Sequence, residues 1–512
     1  MRFCFLLTLT VVVLELLATG GSQAAERPNI LFIFSDDHSY KTVSCYPEAL
    51  PGAKTPSIDA LAKSGVRFTH AYMGAWCMPS RASLLTGRHP HGIESMRMEG
   101  KYPASEYDPQ QCPFWPAIFR SKGYHTAHIG KWHTGTDAGY GRDWDYQIVW
   151  NRPKHPDNAG NYYEDQMLGF NGEDRLTKGY STDNYTDWAC DYIRGKNRPV
   201  DKPWYLWLCY GAVHGPTTPA KRHKGTHKGD EVKVPADILP PRPGKPDYLN
   251  ETQSWAKDES GDIVAGKSGE SFGDVSNSKK KLTYEAYIHQ TLECVEALDE
   301  GVGRVLATLK ESGQLENTLV VFTADQGFAM GEHGFRTKLA PYDANYRSPL
   351  IISRPGTLPE GKVCAKPVNA PDLIATFSAT ADIKIPWEVH GRDLTPLLKD
   401  PENAAWPYPC FFEGTGDHYG SAVTKVVKET PAEAEHHHVP WYAALNDGRF
   451  KYIRYLKPGV PEELYDLQSD PEELKNLATE AGHAADLERL RAAAVAELKR
   501  TGAGYADQLP PP

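Results

Sequence analysis

The chain has 512 residues but only nine cysteines, with no Cys-x-x-Cys pair and no regular spacing. That scarcity excludes a thiolate zinc module and the dense disulfide framework of a small secreted scaffold. Leaving aside Cys4 and Cys77, it leaves room for one or two bridges among Cys45, Cys112, Cys190, Cys209, Cys294, Cys364 and Cys410, whose pairing the spacing does not specify. After the first 25 residues no apolar run is long enough to span a bilayer as a helix. A basic excess is missing too: 56 Lys and Arg stand against 66 Asp and Glu, a formal net charge of −10. A surface made broadly for nucleic acid is therefore excluded, and an anionic substrate has to be met by local cations. No internal repeat or low-complexity tract is present.

At the N-terminus, Arg2 precedes an apolar run from Phe3 to Leu17, interrupted only by Glu15 among its charges, and then the small-residue stretch Ser22-Gln23-Ala24-Ala25. This pattern predicts a secretory signal peptide over 1–25, a secreted or periplasmic protein, and no membrane association after cleavage. Hydrophobic residues at 40% and charged residues at 24% are ordinary for a globular chain, and the length suits a large domain with an appendage. Twelve Trp and 27 Tyr fit a carbohydrate-facing cleft and a large core equally well.

The stretch most specific in chemistry is Cys77 to Arg88, CMPSRASLLTGR. Pro79 is placed as a helix start, because its missing N–H is not needed there. Ser80 to Leu85 then form a short helix whose free N–H groups and positive dipole end face Cys77 and suit an anion. Arg81 adds a forked cation matched to sulfate or phosphate oxygens.

Two apolar runs end in acids. Ile30 to Phe34 leads into Ser35-Asp36-Asp37-His38, and Thr318 to Ala324 leads into Asp325-Gln326-Gly327. Fully apolar runs of this length predict strands buried on both faces of a parallel sheet, with ligands just beyond their carboxyl ends. Paired carboxylates there suit a hard divalent cation.

Between these runs, helix signals at Ser57–Gly65 and Phe114–Gly123 alternate with strand signals at Tyr124–Ile129 and Trp204–Tyr210. The expected fold is α/β, a large mostly parallel sheet sandwiched by helices, over 26–402. Residues 137–187 predict long surface loops, and 216–281 a polar, irregular insertion without chemistry of its own. Ile288, Leu292, Val295, Leu298, Val302, Val305 and Leu309 recur at helical spacing and predict a core-facing helix over Thr283–Ser312. From 403 to 512 a smaller α+β subdomain is expected, with a hairpin around Asn446-Asp447-Gly448 and a last helix over Ala484–Arg500. His436, His437 and His438 predict a polar loop or an edge of the pocket, since three consecutive residues do not converge on one metal from a regular element.

Cys77-x-Pro79-Ser80-Arg81, followed by Leu84-x-Thr86-Gly87, resembles the signature of the type I sulfatases, a family of the alkaline phosphatase superfamily with that alkaline-phosphatase-like fold. The resemblance implies that a formylglycine-generating maturation enzyme oxidises Cys77 to formylglycine, whose hydrate is the nucleophile. It implies one Ca²⁺, held through Asp36, Asp37, residue 77, Asp325 and Gln326, although the family more often has Asn or His at that last position. The run GYHTAHIGKWHTG resembles the segment that supplies Lys131 and His133. The strand ending before Pro216 carries His214, and the segment after Asp325 carries Lys338. On this likeness Arg81 and Lys131 hold the sulfuryl oxygens, His214 and Lys338 assist the leaving alcohol, and His133 takes a proton so that sulfate departs. Glu332, His333 and Arg347 match less uniform pocket positions. The segment GEHGFRTK…PYDANYRSPL looks closer to carbohydrate and glycosaminoglycan sulfatases, which implies a sulfated saccharide as substrate. Two other functions fit parts of the pattern: a phosphonate or phosphate ester hydrolase of the same superfamily, and a non-catalytic protein binding sulfated glycans.

Overall fold

The computed structural model describes residues 27–94, 114–266 and 282–510, and the backbone alone of 96–98 and 105–107. Residues 1–25, where a signal peptide is expected, Cys112 and residues 267–281 of the insertion lie outside the described residues.

The apolar run after Asn29 becomes the strand Asn29–Ser35, buried along its whole length. Its side chains alternate between two cores: Ile30, Phe32 and Phe34 enter one, Leu31 and Ile33 the other. That alternation is why the strand is apolar at every position. It pairs in parallel with Thr318–Ala324 on one side and Trp204–Cys209 on the other. His125–Trp132 and Tyr146–Asn151 continue the parallel centre. Toward one edge Arg347–Ser353 and Val66–Tyr72 add antiparallel steps, and toward the other Glu164–Phe170 and Glu173–Tyr180 do the same. The result is a large mixed sheet with a parallel core and helices on both faces, an α/β architecture.

Cys77–Thr86, Trp115–Ser121 and Ala370–Ala381 cover one face, and Pro56–Lys63, Ser181–Ile193 and Tyr284–Glu311 the other. The stripe from Ile288 to Leu309 is buried as its period requires. Trp115, Trp132, Trp144, Trp150, Trp204, Trp207, Trp255 and Trp441 are all fully buried, so most of the tryptophan serves the core.

Residues 137–187 are not long surface loops. They hold Tyr146–Asn151, the hairpin Glu164–Phe170/Glu173–Tyr180 and most of the helix Ser181–Ile193. The hairpin turns on Asn171 and Gly172, both at positive φ (49° and 90°), the two-residue turn that Asn-Gly favours. The exposed hairpin strand Glu173–Tyr180 is charged rather than apolar, which hid its period. The insertion carries a short helix, Tyr248–Glu251, and a hairpin, Trp255–Lys257/Ile263–Ala265. Ile238 and Trp255 dock it against Tyr284, Tyr287, Ile288 and Met330.

Past the main sheet, Cys410–Gly414, Tyr442–Asn446, Phe450–Tyr455 and Glu463–Asp466 form an antiparallel sheet in chain order, backed by the helix Ala484–Arg500. Its buried Lys451 bonds Asp343 at 2.7 Å and Glu473 at 2.6 Å, and Glu463 accepts hydrogen bonds from Tyr342 and Tyr455. Fully paired in this way, these buried charges tie the small sheet to the segment that leads out of Lys338. The seven described cysteines are unpaired, and among the described residues no helix is long and apolar enough to cross a membrane.

Candidate active site

The parallel strands end on one side of the sheet, and their carboxyl ends deliver the acids. The backbone N–H of Asp36 donates to Ala212 O at 2.8 Å and that of Asp325 to Ser35 O at 3.0 Å, so three strand ends are laced together. Cys77 arrives from the end of Val66–Tyr72 and is the first residue of the helix Cys77–Thr86. Pro79 is the third helical residue, not the first. The first intrahelical bond is made by Ser80 N to Trp76 O at 3.1 Å, so every N–H before it is free and a proline fits at any of those places. Lys131 likewise lies within the strand His125–Trp132 rather than in a turn after it.

Around the thiol the charges interlock. Cys77 Sγ donates to Asp36 Oδ1 at 3.4 Å, and Lys338 Nζ donates to Cys77 Sγ at 2.9 Å and to Asp37 Oδ1 at 2.6 Å. Lys131 Nζ donates to Asp36 Oδ2. Arg81 donates to Asp325 Oδ2 at 3.2 Å and to the Lys131 carbonyl at 3.0 Å, and lies 3.8 Å from Asp36 Oδ1. Asp325 Oδ1 accepts from Asp37 N at 3.0 Å and from Gln326 N at 3.1 Å. Gln326 Nε2 donates to Asp37 Oδ1. Every one of these side chains is buried.

Burial raises the Cys77 thiol to about 12, with the Asp36 charge adding to it, so an unmodified Cys77 is a protonated, poor nucleophile. Burial would raise Asp36 as well, but Lys131, His214, Asp325 and Arg81 outweigh it and hold that carboxyl well below its ordinary value. Asp325 goes the other way, to about 8, through burial and the neighbouring Asp36 charge. That rise marks a shortage of positive charge at this carboxyl, which a divalent cation would make up. Ligand oxygens of Asp36, Asp37 and Asp325 lie within 4.8 Å of one another. Gln326 Oε1 and Asp37 Oδ2 are buried without a hydrogen-bond partner. Hard, mostly anionic oxygens with two of them unsatisfied are a donor set that fits Ca²⁺.

His214 Nε2 stands 3.4 Å from Asp37 Oδ2, its Nδ1 is 2.6 Å from Gly215 O, and its ring stacks on Tyr162 at 3.8 Å. His133 meets Arg152 at 3.3 Å and the edge of Trp76. Burial holds both imidazoles well below their ordinary value, helped at His133 by Arg152 and Lys131 and at His214 by Lys338. Both are therefore neutral at pH 7.

Three pocket candidates sit elsewhere. Glu332 pairs with Lys41 at 2.7 Å, His333 with Asp237 at 2.7 Å, and Arg347 lies 3.8 Å over the Tyr40 ring and pairs with Glu48. Each makes its ion pair or ring contact outside the cluster around Cys77. His437 and His438 form the turn between Glu435–His436 and Val439–Pro440, while His436 stacks on Trp76 at 5.4 Å. Arg152 and Tyr162 were not among the sequence candidates. They come from the stretch expected to be loop, and only a strand assignment for Tyr146–Asn151 would have drawn attention to them.

Three buried cations and three carboxylates around one side chain are too much charge of both signs for a structural core, and they suit a hydrolase that takes an oxyanion ester. Comparison with known proteins gives the family. The profile named Sulfatase matches residues 28–383, and one named N-sulphoglucosamine sulphohydrolase, C-terminal, matches 331–500. The chain belongs to the sulfatase family and is a sulfuric ester hydrolase. It is 28% identical to an N-acetylglucosamine-6-O-sulfatase of Bacteroides thetaiotaomicron, over 94% of this chain and 88% of that protein. A protein solved in complex with its substrate D-glucosamine-2-N,6-O-disulfate superposes with a TM-score of 0.77 at 26% identity, covering 94% of this chain and all of that one. The fold is also shared with a phosphonate monoester hydrolase from Silicibacter pomeroyi, at a TM-score of 0.70 and 23% identity over 93% and 96% of the two chains.

Proposed function

We propose that this sulfuric ester hydrolase removes sulfate from a saccharide, using residue 77 in its formylglycine form. The observation that carries the reading is the place of Cys77 Sγ, at the free N-terminus of a helix, 2.9 Å from Lys338 and 3.4 Å from Asp36. A binding protein has no use for a side chain so placed. Once oxidised by a maturation enzyme and hydrated, residue 77 supplies a hydroxyl nucleophile for sulfur. Asp36, Asp37, Asp325 and Gln326 would hold Ca²⁺, which when bound supplies fixed positive charge for a sulfuryl oxygen. Arg81 and Lys131 bind the remaining oxygens as charge builds on them. Lys338 Nζ and His214 Nε2 face the departing alcohol oxygen, and a proton passes to it from Lys338. His133 accepts a proton from residue 77 so that the aldehyde re-forms as sulfate leaves. We assign 26–402 as the catalytic domain, with 403–512 appended, and secretion or periplasmic export after removal of 1–25.

Phosphate or phosphonate esters are the rival substrates, since the fold accommodates both chemistries. Paired aryl sulfate and aryl phosphate esters should give kcat/KM values at least about tenfold apart in favour of sulfate. Equal rates, or a preference for phosphate, would overturn the assignment.

The neutral state of His133 sets a pH dependence. A base with a depressed pKa stays unprotonated as pH falls through the ordinary histidine range, so where breakdown of the sulfated enzyme limits turnover the acid limb of kcat lies below that range. Arg152→Gln removes one positive neighbour, raises the His133 pKa and moves the acid limb to higher pH. A limb that stays in place would show that His133 is not the group titrating.

A further inference from the structure

A cleft opens directly beside the charged cluster. Asp37 lines it, as do Val213 and Gly215 on either side of His214, so it begins where the leaving alcohol is placed. Tyr287 and Phe328 give it apolar walls suited to a sugar face. Arg336, two residues before Lys338, also lines it.

Arg336 differs from the other cations of this region. Lys338 is paired with Asp37, Arg81 with Asp325, Lys41 with Glu332 and Arg347 with Glu48. The half-buried Arg336 guanidinium has only the Trp255 ring beneath it, at 5.8 Å, and no hydrogen-bond or ion-pair partner among the described residues. Its guanidinium nitrogens are not buried, and they border the cleft with N–H donors open to an incoming anion. A fork backed by an aromatic ring is made for two oxygens of one group.

We infer that Arg336 reads a second oxyanion on the saccharide, a sulfo or carboxylate group separate from the ester that is cleaved. The inference rests on the proposed sulfate-ester hydrolysis and makes Arg336 a specificity-determining residue. The substrate class narrows to sugars that carry two negative charges, one at the cluster and one in the cleft. A chain with a net charge of −10 thus attracts a polyanion through two local sites.

The test uses the matured full-length enzyme and three substrates: a singly sulfated sugar, the same sugar with a second sulfo group, and one with a carboxylate. The wild type should prefer at least one of the doubly charged substrates by about 10- to 100-fold in kcat/KM, the value of a charge-assisted hydrogen bond or two. Whichever of the two is preferred identifies the group. Arg336→Gln should collapse that preference to near unity, mainly through KM, and Arg336→Lys should restore part of it. A wild type without preference, or a glutamine variant that slows all three substrates by the same factor, would overturn the inference. A wild type inactive on every sulfate ester would instead remove the reading beneath it.

Discussion

Cys77→Ala should lower turnover of a sulfate ester by about 10⁴-fold or more, the usual scale for deleting a nucleophile. Sulfuryl transfer needs a group that attacks sulfur and can later release it, and no other side chain touching the three carboxylates can do both. Lys338 and Lys131 are engaged in ion pairs with Asp37 and Asp36, and His214 abuts Asp37. The fold should survive. Cys77 occupies the first helical position, where its N–H makes no intrahelical bond, and alanine keeps the helix Cys77–Thr86 intact. The thermal midpoint should therefore change by a few degrees at most, as suits loss of one buried sulfur without backbone change. A variant that keeps a tenth of wild-type activity would remove residue 77 from the mechanism.

Asp325→Asn is the second large effect, expected at about 10³-fold in kcat. The substitution preserves shape but removes one of the three negative charges, and an amide has one oxygen where the carboxylate has two. Asp325 uses both: Oδ1 accepts from the backbone of Asp37 and Gln326, and Oδ2 from Arg81. The asparagine must therefore abandon either the turn that aims Asp37 or the contact that aims Arg81. Cation binding should suffer in parallel. Wild-type protein should melt at higher temperature as Ca²⁺ is added, with a gain of about 2.7 kcal/mol at a hundredfold excess over Kd, and chelation should reverse it. The variant should lose most of that response. An undiminished Ca²⁺ response in Asp325→Asn would mean that the cation is not held by this cluster.

The parts of this arrangement that the sequence reveals are those with little freedom. Apolar runs ending in Asp36-Asp37 and Asp325-Gln326 can hardly be anything but buried strands, and a buried strand end can hardly leave its acids unpartnered. The motif at Cys77 specifies a helix start closely enough that a two-residue error in its first turn changes nothing in the chemistry. Legibility fails where tertiary context decides. The charged strand Glu173–Tyr180 has no apolar period, yet the Asn171-Gly172 turn and its partner strand hold it in the sheet. The insertion reads as idle polar chain, but Ile238 and Trp255 press it against the helix that borders the cleft. Glu332, His333 and Arg347 show a further limit, since a motif position names a residue without naming its partner. Arg336 had no sequence signal because its distinction is the absence of a counter-ion among the described residues, which only the folded chain can display.

The most direct test of the account is the mass of the peptide that contains residue 77, taken from protein secreted by a cell with its maturation system. Oxidation of the thiol to the aldehyde should lower that mass by about 18 Da relative to the cysteine form. An active preparation whose peptide carries an unmodified cysteine throughout would contradict the formylglycine mechanism.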